Sequence, residues 1–508
     1  MLSKLLSGAV VGLDAVPVTV EIDIASQGLP NFFLVGLADK AIDESRERVR
    51  SAIKNSGAEF PAKRITVNLA PADLPKVGPA YDLPIALGIL YASEQIENPP
   101  PEAVFLGELS LDGTLRHTTG VLSLVLMAKE QGISQVFLPA VDAQEGAVIE
   151  GVTLYPVTSL LEIVHHLSGE RIINPQTRIP YDALTSYHHM DADMSDIVGQ
   201  EQSKRALEIA TAGGHNLFLR GLPGSGKTML ARVSPTILPP LTEIEAIEVT
   251  KIYSITGNLP AGNSLMIERP FRAPHHTTSQ IGLIGGGKNP LPGEISLAHR
   301  GVLFLDEFPE FPRYVLEALR QPLEDGIVTI SRAAGTVSYP ARFLLIAAAN
   351  PCPCGNYGSD QKKCICSPTA IIRYKHRISG PILDRIDLHV SVPSVSMEKL
   401  TTAYTAKGET SSTIRARIMK AREKQYLRFA SRGIHTNSEM NTKMVKEFCP
   451  LDGQSQQFMK EAIQRFTLSA RSYYRIIKVA QTIADLSESK RITYSHIAEA
   501  LMYRPKEE

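Results

Sequence analysis

At 508 residues the chain exceeds what one hydrophobic core holds, and about 100–200 residues per domain implies roughly three domains. Lys plus Arg and Asp plus Glu number 53 each, so the field of the whole chain attracts neither nucleic acid nor membrane, and any basic site must be local. A content of 43% hydrophobic and 21% charged residues excludes a disordered or fibrous chain. No apolar run approaches the roughly 18 residues of a spanning helix, so a soluble protein with no membrane partner is expected.

Residues 1–18 are interrupted by Asp14 and no small-residue cleavage pattern follows, which predicts a cytoplasmic location rather than secretion. Short apolar runs at 18–22, 32–35, 65–69, 104–106 and 136–138 alternate with helical patterns at 43–55, 83–93 and 122–131. Residues 1–168 therefore read as a mixed α/β domain. Arg64 and Lys76 read there as ordinary solvated charges. Residues 169–195 lack apolar periodicity and carry Pro175 and Pro180, as a linker would.

From residue 196 to 395, helices alternate with strands centred on Leu217, Leu303 and Leu345, which predicts a parallel sheet. The segment Gly221-Leu-Pro-Gly224-Ser225-Gly226-Lys227-Thr228-Met229 follows an apolar run and opens a helical one, the context of a phosphate-binding loop. Its glycines let backbone N–H groups turn toward phosphates at a helix N-terminus; Lys227 reaches the outer phosphates and the Thr228 hydroxyl binds magnesium. ATP and Mg2+ are the expected ligands.

The run Gly301-Val-Leu-Phe-Leu ends in Asp306 and Glu307, at the carboxyl end of a buried strand, where parallel sheets present ligands. Asp306 is expected to hold the magnesium and Glu307 to orient the attacking water. The next apolar strand ends at Asn350, read as a sensor of the γ-phosphate or, alternatively, as a turn residue before Pro351.

Of the five cysteines, four lie within fifteen residues, Cys352 and Cys354, then Cys364 and Cys366. Four thiolates at such spacing suit tetrahedral zinc, with free thiols and an iron–sulfur cluster as alternatives. Cys449 reads as an ordinary thiol. Residues 396–508 have helical spacing at 413–431, 455–466, 470–486 and 495–502, a helical lid domain. The helix at 412–432 is the most basic segment, a solvated or subunit-contact face that could alternatively meet phosphate.

Taken together, Asp196-Ile-Val-Gly-Gln200, the phosphate-binding loop, Arg269-Pro-Phe-Arg272-Ala-Pro-His-His276, Gly285-Gly-Gly287, Pro292-Gly-Glu-Ile-Ser-Leu-Ala-His299 and Asn350-Pro-Cys-Pro-Cys-Gly355 resemble the magnesium-chelatase-like AAA+ ATPases, the family that includes ComM and YifB. The resemblance implies an AAA+ core at 196–395, with an insert at 270–297 in its second helix and a β-hairpin at 326–343, turning at 333–335, before the first sensor. In related rings both inserts point into the central pore. Lys288, Arg272 and Arg332 are then candidates for non-sequence-specific contact with DNA phosphates.

The same resemblance makes Arg385, in Leu383-Asp-Arg-Ile-Asp387, a candidate arginine finger donated to a neighbouring subunit, with pairing to Asp384 or Asp387 as the alternative. Arg471 becomes the second sensor, with Arg475 in reserve. A finger donated in trans makes hydrolysis depend on ring assembly.

Pro75-Lys-Val-Gly-Pro-Ala80 and Phe105-Leu-Gly-Glu-Leu-Ser-Leu-Asp-Gly113 resemble the proteolytic domain of Lon, a similarity that spans residues 1–168, but Ala80 and Leu122 stand where that family has its serine and lysine. Without that dyad there is no acyl-transfer chemistry, which leaves a scaffold or DNA-binding role. The implied whole is a homo-hexameric ATPase working on single-stranded and branched DNA, with branch migration during recombination of incoming DNA in natural transformation as its task. A protein-remodelling ATPase and a chelatase-type subunit are the rival readings.

Overall fold

The structure, a computed structural model, describes residues 2–505 except 26, 28, 37–43, 75, 77, 79, 98, 185–191, 260–263, 333–334, 360–361, 395–407 and 431. The expected hairpin turn at 333–334, the helix start at 43 and the boundary at 395–396 lie outside the described residues. The chain forms two compact units, residues 1–186 with 242–267, and residues 187–241 with 268–508.

In the first unit the strands are β1 (Leu2–Val11), β2 (Asp14–Ile24), β3 (Asn31–Val35), β4 (Arg64–Ala70), β5 (Ala103–Phe105), β6 (Glu108–Leu109), β7 (Leu115–Arg116), β8 (Gln135–Pro139) and β9 (Thr153–Val157). Seven form one mixed sheet in the order β3-β4-β2-β1-β5-β8-β9, and β6 pairs with β7. The first ten described residues, which show no clean alternation in the sequence, pair antiparallel with β2 from Leu2↔Asp23 to Val11↔Asp14. Gly8 allows the close approach: a Cβ there would lie 2.4 Å from Leu124 Cδ2.

The helix Asp82–Ala92 has almost every side chain buried, so it reads as a continuous apolar run rather than a stripe. Residues expected as a linker pack here: Ile173 joins the core, and the Gln176 and Ile179 amides donate to Leu154 and Ala147. Lys76, expected in solvent, is buried, its ammonium bonded to the Pro71 carbonyl.

The helix Glu243–Ile255 also belongs to this unit, although in the chain it falls between the phosphate-binding loop and Asp306. A capping box between Thr242 and Glu245 starts it. Ser254 Oγ donates to Glu145 at 2.5 Å, and Lys251 pairs with Asp14 at 2.8 Å.

The second unit contains β10 (Leu217–Gly221), β11 (Phe271–Arg272), β12 (Gly285–Gly286), β13 (Leu291–Pro292), β14 (Val302–Leu305), β15 (Ile327–Arg332), β16 (Gly335–Pro340), β17 (Leu344–Ala349) and β18 (Leu388–Val392). Its main sheet is parallel, in the order β11-β14-β17-β10-β18. β14 and β17 are buried along their whole length, which is why they appear in the sequence as unbroken apolar runs.

The C-terminal helices Ser411–Phe429 and Ala470–Leu486 share one hydrophobic cluster with this sheet. Buried His215 ties sheet to helix, with Nδ1 3.0 Å from Asp387 Oδ2 and Nε2 2.8 Å from Thr482 Oγ1. The basic helix is also absorbed into the unit. Arg417 pairs with Glu208 and Glu409, Lys420 with Glu488, Arg428 with Asp485 and Arg432 with Glu447, while Arg422 and Lys424 bond backbone carbonyls. Its charge serves contacts within the unit.

Candidate nucleotide-binding site

The order of the sheet brings the ends of β10, β14 and β17 side by side, so residues distant in sequence converge at one edge. The loop after β10 turns through Gly224 and Gly226, both left-handed at φ 73° and 88°, and no atom comes within 4 Å of where a Cβ would project. Gly226 caps the helix Lys227–Ile237, whose first N–H groups and dipole favour an anion.

Lys227 is buried and its Nζ bonds the carbonyls of Gly221 at 2.8 Å and Leu222 at 2.9 Å and the amide oxygen of Asn350 at 3.3 Å. Burial lowers its pKa, with Asp306 acting against the shift. A cation taken from water and met mainly by neutral oxygens gains from an incoming phosphate. The buried Ser225 hydroxyl has no hydrogen-bond partner among the described residues. The loop thus offers an unmatched donor and an under-compensated cation, the donor set that fits a triphosphate.

Thr228 Oγ1 donates to Asp306 Oδ2 at 3.0 Å, and the other Asp306 oxygen accepts from the Glu307 amide at 2.9 Å. These two oxygen groups fit the hard, oxygen-preferring Mg2+ ion. Glu307 is left-handed at φ 50°, which turns the chain immediately after the strand. Its carboxylate is half exposed and lies 3.1 Å from His276 Nδ1. Asn350 follows β17 and bonds Lys227, while Met229 is exposed on the helix.

Sequence reasoning missed His276, which it had grouped with the insert; adjacent His275 and His276 carried no signal for a contact 31 residues ahead. Arg385 and Arg471 come together elsewhere, both on Glu324. Arg385 therefore does not pair with Asp384 or Asp387, and Arg475 is buried, bonding the carbonyls of Asp384 and Ile386.

The two inserts pack on each other. Tyr339 of β16 donates to the Pro290 carbonyl at 2.6 Å, and a Cβ on Gly286 would lie 3.4 Å from Arg332 Nη2. Arg272 is held by both oxygens of Glu294 at 2.6 and 2.7 Å, which leaves Lys288 and Arg332 as the exposed members of the three candidates.

The cysteines converge. Sγ of Cys352 is 3.4 Å from that of Cys354 and 3.7 Å from that of Cys364, and the four ligand atoms lie within 4.8 Å of one another. Tetrahedral zinc, with Zn–S near 2.3 Å, requires sulfurs roughly 3.8 Å apart, so the set fits zinc. Backbone N–H groups of Asn356 and Ile365 pull the Cys354 thiol down to about 6, while burial and the neighbouring thiols push those of Cys364 and Cys366 up, so without a cation the cluster favours a single thiolate. The loop adjoins the phosphate-binding loop: a Cβ on Gly355 would lie 2.5 Å from Pro223 Cγ.

Three family models match the chain: magnesium chelatase, subunit ChlI, over residues 193–400; subunit ChlI of Mg-chelatase over 20–142; and the ChlI C-terminal model over 408–504. The chain is 44% identical to the competence protein ComM of Haemophilus influenzae, over 98% of this chain and 96% of that protein. The chain belongs to the ComM/YifB family of magnesium-chelatase-like AAA+ ATPases. The uncharacterized protein YifB of Escherichia coli is 43% identical over the same shares. The magnesium-chelatase 38 kDa subunit of Cereibacter sphaeroides is 27% identical over 31% of this chain and 52% of its own length. Among the described residues no helix is long and apolar enough to cross a membrane.

Proposed function

We propose that the protein is a cytoplasmic, ATP-driven DNA motor that assembles as a homo-hexamer and promotes branch migration of DNA junctions during recombination of incoming single-stranded DNA. The observation that carries this reading is the contact between the two inserts, with exposed Lys288 and Arg332 on neighbouring turns of chain. Two cations on apposed loops grip phosphate without reading bases, as a motor on any sequence must. One insert precedes β14, which Asp306 follows; the other leads into β17, which Asn350 follows. Movement at the nucleotide is thereby linked through two strands to the loops. The 44% identity, over 98% of this chain, to a protein named for competence supports DNA as the substrate.

In this reading Lys227 and the loop amides bind the phosphates, Thr228 and Asp306 hold Mg2+, and Glu307 orients water for in-line attack. Asn350 reports the γ-phosphate, Arg385 reaches a neighbouring subunit's ATP, and Arg471 closes over the nucleotide. Cys352, Cys354, Cys364 and Cys366 would hold zinc, which would brace the loop after Asn350 where it lies against Pro223. The first unit, with Ala80 and buried Leu122 where a protease dyad would stand, is a non-proteolytic Lon-like scaffold.

The double variant Lys288→Ala/Arg332→Ala tests the reading. It should bind single-stranded DNA at least tenfold more weakly at fixed salt while keeping its ATP turnover without DNA; unchanged DNA binding would remove these loops from the motor. An Arg385→Ala protein mixed with a Lys227→Ala protein should regain turnover at mixed interfaces. No recovery would contradict a finger in trans.

A further inference from the structure

Arg385 and Arg471 lie 86 positions apart in the chain, yet one carboxylate oxygen holds both. Glu324 Oε1 pairs with Arg385 Nη2 and accepts from Arg471 Nη2 at 3.3 Å. The bond from Arg385, then that from Arg471, keeps the Glu324 carboxyl below its ordinary range. The Arg385 side chain is only 7% exposed; its Nη1 bonds the Pro381 carbonyl at 2.5 Å, and its buried Nε has no partner among the described residues. A guanidinium with one buried donor unmatched is incompletely satisfied, and a new acceptor would improve it. Glu324 is half exposed while Arg385 is buried, so when the carboxylate moves away the guanidinium needs another acceptor, which a triphosphate supplies in charge-assisted fashion.

Glu324 also sits next to the DNA-contacting insert. It lies in the last turn of the helix Arg320–Asp325, which ends at left-handed Gly326, and β15 begins at Ile327. The Ala341 amide donates to the Gly326 carbonyl at 2.8 Å and closes the base of the hairpin, so Glu324 stands two residues from that base.

We propose that Glu324 is a positioning residue, a latch that withholds Arg385 and Arg471 from nucleotide in the empty chain and releases them when a bound strand displaces the β15–β16 hairpin. This rests on the roles assigned above to the two arginines. It makes hydrolysis conditional on the track, because without DNA the arginines remain on Glu324.

The test uses the full-length protein, with turnover measured without DNA and at saturating single-stranded DNA. Glu324→Gln, which keeps shape and removes charge, should raise the DNA-free rate about two- to fivefold, the range that losing one partly exposed ion pair gives. The DNA-saturated rate should stay within about twofold, so the stimulation ratio falls, and Glu324→Asp should restore most of it. An unchanged ratio in Glu324→Gln, at equal melting temperature, would overturn the latch. Arg385→Ala and Arg471→Ala separate this from failure of the underlying reading. If both keep the DNA-saturated rate, the arginine roles and the latch fail together; if both lose it while Glu324→Gln keeps the ratio, the latch alone fails.

Discussion

Thr228 Oγ1 donates to Asp306 Oδ2 at 3.0 Å and so ties the first turn of the phosphate-loop helix to the end of β14. Two oxygens from separate elements, already in contact in the protein alone, form the magnesium corner of the site. Thr228→Ala should remove one metal-facing oxygen and leave the loop glycines and Lys227 in place. Its melting temperature without ligand should change by less than about 2 °C, but the rise on adding Mg2+ and a non-hydrolysable ATP analogue should shrink, as weaker binding lowers ligand-linked stability. An undiminished rise, measured by thermal scanning, would contradict this corner.

Glu307 has its carboxylate half exposed and 3.1 Å from His276 Nδ1. Glu307→Gln should lower turnover by about 10² to 10⁴-fold, the usual worth of a positioned base, while ATP binding persists. His276→Ala, which frees the carboxylate from its neighbour, should alter turnover with little effect on ATP affinity. Steady-state kinetics beside equilibrium binding reads both; wild-type turnover in Glu307→Gln would take Glu307 out of the water-orienting role.

The phosphate loop, the Asp306–Glu307 strand end and Asn350 could be found in the sequence because each depends on local spacing within one element. The parallel second sheet and the helical C-terminal region were equally visible in their periodicity. The capture of Arg385 and Arg471 by Glu324 was not visible, because it joins three elements through tertiary packing alone. The same is true of helix Glu243–Ile255, whose place beside β1–β2 rests on Glu145 and Asp14, more than 90 residues upstream. The partners of the basic helix are hidden from the sequence for a related reason: its acids lie on other elements, such as Glu208 and Asp485, so a local charge count does not pair them.

The four thiols meet within 4.8 Å, next to the phosphate loop through Gly355 and Pro223. Cys352→Ser should lose about one equivalent of zinc per chain by metal analysis, melt lower, and bind ATP more weakly because the loop against Pro223 loosens. Wild-type protein purified without chelator and found free of zinc would end the zinc assignment.

Glu145 is buried, and burial together with nearby Asp142 raises its pKa above the ordinary 4.5, only partly offset by the donors Ser254 and Leu122. A carboxyl raised in the folded state favours the fold below its unfolded pKa and loses that contribution as pH rises through the folded value. Glu145→Gln keeps an acceptor for Ser254 and cannot ionise. The first unit of the variant should melt roughly 2–4 °C higher than wild type at pH 8, with the gain vanishing toward pH 4.5. A gain that is independent of pH, or a loss at pH 8, would show that ionisation of Glu145 does not set this stability.

In the proposed function, ATP hydrolysis at Lys227, Asp306 and Glu307 drives movement on DNA. The most direct test is ATP turnover by the purified protein at fixed salt with no DNA, single-stranded, duplex and branched DNA, with strand separation of the branched substrate followed in the same reaction. Marked stimulation by single-stranded and branched DNA and ATP-dependent resolution of the junction are expected, both absent in Glu307→Gln. Turnover indifferent to every DNA, with the junction intact, would contradict it and point instead to a protein substrate.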